Sequence, residues 1–245
     1  MASVLTTRLF LIIMKKRPLI TVHLIVISVL FILLATSCKK DEGDNPETVT
    51  DIDGNVYNTV IIGSQVWMKE NLKTTKYSNG DLIGTTDPQD KEITGETMPK
   101  YQWSYGGSVG NVATYGRLYT WYAATDNRNI CPTGWHVPND NEWTTLGDYL
   151  GGKDIAGGKL KESETLHWKT PNTEASNLSG FTALPGGFRG GEGLYYDLGE
   201  WGNWWSSTAS DEIQAWLRWL YYDDGILGRG FYGKQHGMSV RCIKD

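Results

Sequence analysis

The chain predicts an α+β domain: two short helices beside small twisted antiparallel sheets, joined by long loops. Three observations carry this. Short runs rich in Val, Ile, Tyr, Thr and Trp are separated by Gly, Asn and Asp, the grammar of brief strands and turns. Only two segments keep a helical apolar period. Glycine and aromatic residues are abundant, with 29 Gly, 13 Tyr and 11 Trp in 245 residues, and every Trp follows residue 38. The fold therefore lies wholly after that point.

The domain is read as residues 49–245, starting near Val49. Asp53-Gly54 is a hairpin signal, and Val56–Ile62 alternates as a strand. Gly63-Ser64 turns the chain into a second strand, Gln65–Met68. Asp51, Asp53 and Asn55 mimic the start of a calcium loop, but an EF-hand needs Gly sixth and Glu twelfth. Here Gly54 is fourth and Ile62 is twelfth, so the segment reads as a hairpin. Residues 74–114 are polar and glycine-rich and read as one long loop. Within 115–124, Leu118, Trp121 and Tyr122 fall at i, i+3 and i+4, which predicts the first helix. Trp135 to Val137 reads as a short strand. Asn139 then suits an N-cap with Glu142 at N3, a capping box. Trp143, Leu146 and Leu150 follow at i, i+3 and i+7, and Gly151-Gly152 ends this second helix. Beyond it the chain reads as irregular β structure: 181–184, 186–190, 204–208, 215–220 and 238–243.

The N-terminus has a different grammar. Lys15, Lys16 and Arg17 precede an apolar run from Leu19 to Ala35, and small residues lead to Cys38. This is the layout of a signal peptide over residues 1–37, and the Cys at its end resembles a bacterial lipobox. Cys38 is then the lipid anchor, and the membrane is a partner through that lipid. The alternative is a retained transmembrane anchor, although 17 residues is short for roughly 30 Å of hydrocarbon. Met14 is an alternative start. Residues 38–48 are polar and charged and read as a flexible tether. The predicted location is the outer membrane, lipid-anchored, on the cell-surface side if the acidic pair Asp41-Glu42 acts as an export signal.

Four of the 23 Lys and Arg precede Cys38 and none of the 28 acidic residues does, so the mature chain carries −9. That charge argues against nucleic acid as a partner. Cys131 and Cys242 remain. In an exported protein such a pair most economically forms one disulfide, with two buried free thiols as the alternative.

Several motifs resemble one family in order along the chain. They are Asp53-Gly54-Asn55-x-Tyr57, Trp67-Met68-x-Glu70-Asn71-Leu72, and Gly116-Arg117-Leu118-Tyr119-x-Trp121-x-Ala123-Ala124. Cys131-Pro132-x-Gly134-Trp135-His136-Val137-Pro138, Trp205-Ser206-Ser207-Thr208 and Ser239-Val240-Arg241-Cys242 complete the set. This is similar to the Fibrobacter succinogenes major paralogous domain. Through Gly187-Phe188-Arg189-Gly190-Gly191 it further resembles the C-type-lectin-like fold of formylglycine-generating (sulfatase-modifying) enzymes. The resemblance implies that architecture but assigns no activity.

The residues themselves offer little catalysis. The sulfatase-modifying relatives use a reactive cysteine pair that binds copper, and the two cysteines here are better used as a bridge. His136, His167 and His236 lie in no nucleophile motif, and His136 reads as structural. No metal-ligand, redox or phosphate-cradling motif is present. No catalytic residue, metal ligand or cofactor is therefore assigned. Asp223-Asp224 and Asp211-Glu212 read as solvated turn carboxylates. Calcium-dependent sugar binding needs Glu-Pro-Asn or Gln-Pro-Asp, which Asp87-Pro88-Gln89 does not match.

What remains is aromatic. Tyr195, Tyr196 and Trp201, in a Gly/Asp-rich segment, are the candidate ligand-binding platform, because aromatic faces stack on sugars and anchor interfaces. Packing a loop-rich core is the competing role. Trp205, Trp216 and Trp219 are assigned to the core. The expected function is a non-catalytic binding module for a glycan or an envelope protein. The alternatives are an enzyme on a sulfatase-modifying-like scaffold or a structural subunit of a surface assembly.

Overall fold

A computed structural model describes residues 47–245. The signal segment, Cys38 and the tether up to residue 46 lie outside the described residues. In chain order the strands are β1 (Thr48–Thr50), β2 (Val56–Ile62), β3 (Gln65–Met68), β4 (Gln102–Trp103), β5 (Leu118–Tyr119) and β6 (Trp135–His136). They continue with β7 (Gly186–Arg189), β8 (Tyr195–Leu198), β9 (Trp201–Ala209), β10 (Gln214–Tyr221), β11 (Gly228–Gly233) and β12 (Ile243–Lys244). The helices are α1 (Gly110–Tyr115), α2 (Trp121–Ala124), α3 (Asp140–Tyr149) and α4 (Lys153–Leu160). Short helices and mainly antiparallel sheets make this an α+β fold.

Asp51 shapes the first hairpin. Its Oδ1 accepts the backbone N–H groups of Asp53 at 3.0 Å and Asn55 at 2.9 Å, and its Oδ2 accepts the Asn55 carboxamide and the Tyr57 hydroxyl. Asp53 is spent as well, on Thr74, Thr75 and Lys76. The carboxylates that mimic a calcium loop instead fold the turn. The first sheet runs β1-β2-β3-β12-β6, so the last strand lies between β3 and β6. The Cys131–Cys242 disulfide staples the same region across 111 residues.

The second sheet runs β11-β10-β9-β7-β8, antiparallel except where Gly187 meets Gly202. Strand alternation places its side chains in two cores. Trp205 and Leu217 enter one with Tyr57, Met68, Tyr119 and the disulfide. Trp204 and Leu220 enter the other with Trp67, Trp143, Leu146 and Phe181. The middle of β9 and β10 is thus covered on both faces.

The helices depart from expectation at three places. Leu118 lies in β5, and the helix expected around it is a single turn from Trp121, capped by the Thr120 hydroxyl. Helix α1 and β4 lie inside the segment read as loop. Helix α4 follows directly on the Gly151-Gly152 stop. The expected start of α3 is present: Asn139 Oδ1 accepts Glu142 N–H at 3.0 Å, and Glu142 Oε2 accepts Asn139 N–H at 2.7 Å.

A loop-rich fold leaves many backbone carbonyls outside any ladder, and these need donors. Buried cations supply them. Lys161 is 0% exposed, and its Nζ donates to the carbonyls of Thr173, Tyr221 and Asp224 at 2.7–3.0 Å. Burial pulls this ammonium down to about 8. Arg189 donates to the carbonyls of Gln89, Lys91 and Gly190, fastening the 87–94 loop. Lys234 does the same for Asp211 and Glu212.

The deepest knot joins three of the sequence motifs. Asn71 Oδ1 accepts Trp204 Nε1 at 2.8 Å and Arg241 Nη2 at 2.9 Å and Nε at 3.1 Å. Its Nδ2 donates to Tyr115 O at 2.9 Å. Gly116, at φ 76°, passes so close that a Cβ there would lie 2.7 Å from Asn71. These motifs therefore hold the fold together, and the family pattern reads as architecture.

Candidate functional site: an aromatic face on the second sheet

Position along β8 and β9 decides where the expected platform points. Tyr195 and Tyr196 are sequence neighbours on a strand, so they face opposite ways. Tyr195 packs edge-on against Tyr105 at 5.3 Å, and its hydroxyl is buried with no partner among the described residues. Tyr196 stacks on Phe188 at 5.1 Å and donates to Glu192, which holds its phenol above the usual range. Phe188 also meets Tyr232 at 5.8 Å and His236 at 6.4 Å. Trp201 belongs to a different cluster, with Trp219 at 5.1 Å and Tyr221 at 4.6 Å. The three expected residues are thus brought to three places.

The Trp201 cluster gathers three tilted rings on one face of the sheet. Trp201 and Tyr221 are directly paired across β9 and β10, as are Asn203 and Trp219 one row on. All four share one face of the sheet. The two tryptophans and Tyr221 are partly exposed. Gly228 explains how Trp219 lies: a Cβ there would fall 1.8 Å from the indole, so only glycine lets the ring lie flat over β11. Trp219, assigned to the core from sequence, does pack against the first core and is partly exposed besides, and Trp216 is likewise partly exposed. Trp205 is fully buried as expected.

Asn203 is the residue that sequence reasoning missed. It is 6% exposed and sits between Trp201 and Trp205 along β9. Among the described residues its carboxamide makes no hydrogen bond, whereas its backbone carbonyl accepts Ser239 N–H. With no protein partner and no place among the buried unpaired polar atoms, the carboxamide faces solvent and is open to a ligand. A planar amide beside tilted aromatic faces offers one donor and one acceptor to a ligand lying on the rings.

The three described histidines are engaged elsewhere. His136 Nε2 meets Glu142 Oε1 at 2.9 Å, and its Nδ1 meets Asp245 Oδ1 at 2.6 Å. Burial works to lower its pKa, but the two carboxylates prevail and hold it above the ordinary value. His167 contacts Glu162, and His236 contacts the Gly233 carbonyl, with burial pulling it down. Asp211 caps the backbone of Ile213 and Gln214, and Asp224 caps Ile226. Among the described residues no helix is long and apolar enough to cross a membrane.

No curated protein and no solved structure matches the chain. The family model of the Fibrobacter succinogenes major domain matches residues 60–244, from β2 to the last strand. That match takes in nearly every described element, and the chain belongs to the Fibrobacter succinogenes major domain family.

Proposed function

We propose that the domain is a non-catalytic glycan-binding module, held at the outer membrane by a lipid on Cys38 and built on a C-type-lectin-like scaffold. The observation that carries the binding role is the Trp201–Trp219–Tyr221 cluster beside the unpaired Asn203 amide. Sugar rings present C–H faces that stack on aromatic planes, and their hydroxyls need donors and acceptors at the same surface. The cluster supplies both. A protein partner would more commonly use a broad apolar patch, whereas here the rings of the Trp201 cluster stand beside a polar amide.

The test is a glycan array probed with the detergent-solubilised full chain, alongside Trp201→Ala and Trp219→Ala. Loss of one stacking ring should weaken binding about 5- to 150-fold, on an analogy with roughly 1–3 kcal/mol per stacked base. Thermal melts of each variant separate lost contact from lost fold. Variants that melt early yet bind normally per folded molecule would return these rings to a packing role.

A further inference from the structure

The opposite face of the same sheet carries a separate cleft. It lies between α3 and the β10–β11 hairpin and has a volume of about 210 Å³. Its lining includes Trp143, Gly147 and Leu227, with Arg218 and Arg229 along one wall and Lys153 and Asp148 also lining it. Strand alternation separates the two sites, since Arg218 pairs with Trp204 while Trp219 pairs with Asn203.

Three features of this cleft point to a ligand. Trp143 is 1% exposed, and its indole Nε1–H has no hydrogen-bond partner among the described residues. A buried, unpaired N–H on a residue that lines a cleft costs free energy until an acceptor arrives. Arg229 spends its Nε and Nη2 on Asp140 and lies 3.3 Å over the Trp216 ring, while its Nη1 makes no bond. Asp140 answers both Arg218 and Arg229, so one carboxylate faces two guanidinium groups. Lys153 stands 76% exposed in an ion pair with Asp154, whereas Arg229 keeps its Nη1 unbonded among the described residues, and Asp148 opposes any ligand placed towards its side. Trp143, Gly147 and Leu227 supply an apolar surface. The cavity is smaller than a drug-sized pocket and suits a compact molecule.

We propose that this cleft is a second binding site, for a small organic carboxylate with an apolar body. The body lies against Trp143 and Leu227, and the carboxylate accepts from Arg229 and the Trp143 indole.

Gly147 gives a clean way to close it. A Cβ there would stand 3.2 Å from the Leu227 methyl, at the end of a flexible side chain. Gly147→Ala should therefore narrow the cleft, and alanine also favours the helix. The experiment is ¹⁵N NMR of the Trp side chains in the detergent-solubilised full chain, titrated with benzoate and separately with benzyl alcohol. The Trp143 signal is assigned through Trp143→Phe. The expected result is a saturable shift of the Trp143 Nε1–H with benzoate in the millimolar range, and a far weaker one with benzyl alcohol. Arg229→Gln should weaken benzoate about tenfold, as loss of a charge-assisted bond does. Gly147→Ala should abolish the shift while the melting temperature holds or rises. Equal response to both compounds would overturn the carboxylate assignment. No saturable shift would mean that the cleft holds only water, and would overturn the site.

Discussion

Asn71→Ala tests whether the family motifs serve the architecture. The substitution deletes the acceptor shared by the Arg241 guanidinium and the Trp204 indole. Arg241 is 1% exposed and forms no ion pair among the described residues, so its charge rests on Asn71 and the Phe181 carbonyl. Burial already pulls its pKa down to about 9. Stranding a buried charge and an indole N–H should cost about 3–5 kcal/mol. For a domain of this size that is a fall in Tm of roughly 6–20 °C. Arg241→Met removes the charge itself and keeps an apolar side chain against Phe181 and Trp204, whose rings lie 4.1 and 5.7 Å from the guanidinium. It should cost less, about 1–3 kcal/mol. The double variant should cost clearly less than the two singles summed, because the second change relieves the first. Urea unfolding of the three variants, with an unchanged m-value, gives the comparison. If Arg241→Met were the more damaging single, or if the costs simply added, the knot described here would be wrong.

Three further outcomes follow. His136 has its folded pKa raised by Asp245 and Glu142, so its stabilising contribution is complete below about 6.5 and is lost as pH rises through the raised value. Melts from pH 5 to 9 should show that slope in the native chain and a flatter profile in His136→Gln; parallel profiles would show that the His136 contacts to Glu142 and Asp245 stabilise nothing. Reducing the Cys131–Cys242 bridge should lower the melting temperature, since a closed loop of this length stabilises by at most about 4–5 kcal/mol in the chain-entropy model. Cys131→Ala/Cys242→Ala should melt at the same reduced temperature, and an unchanged midpoint would show that the bridge stabilises nothing. Cys38→Ala should take up no labelled palmitate and leave the membrane fraction; wild-type labelling would refute the lipid anchor.

What could be read from the chain was what local chemistry determines. The β2–β3 hairpin and the Asn139–Glu142 cap depend on groups a few residues apart, and both stand where the pattern put them. Helix α4 was invisible because Lys153–Leu160 has two adjacent glycines and almost no apolar period. Those glycines are demanded by distant backbone: a Cβ on Gly157 would lie 2.3 Å from the Ile226 carbonyl, and one on Gly158 would lie 2.5 Å from that of Glu174. Leu118 and Trp121 misled because a strand followed by one turn can bury apolar residues at the same spacing as a helix. The platform was legible only in kind. Aromatics in a Gly/Asp-rich segment pointed to the second sheet, but that Trp219 both packs against the core and covers Gly228 depends on the pairing of β10 with β11. Asn203 gave no signal at all, since its isolation comes from neighbours on other strands.

The proposed glycan lies on Trp201, Trp219 and Tyr221 beside Asn203. The most direct measurement is calorimetric titration of the strongest array glycan into the full chain, into Asn203→Ala and into Tyr195→Ala. Asn203→Ala removes only an unpaired amide, so it should weaken the glycan at least about fivefold, a single hydrogen bond's worth, with the melting temperature held. Tyr195 faces Tyr105 on the other side of β8, so its variant should bind as the native chain does. Native affinity in Asn203→Ala together with lost affinity in folded Tyr195→Ala would contradict the account and move the ligand to the other face.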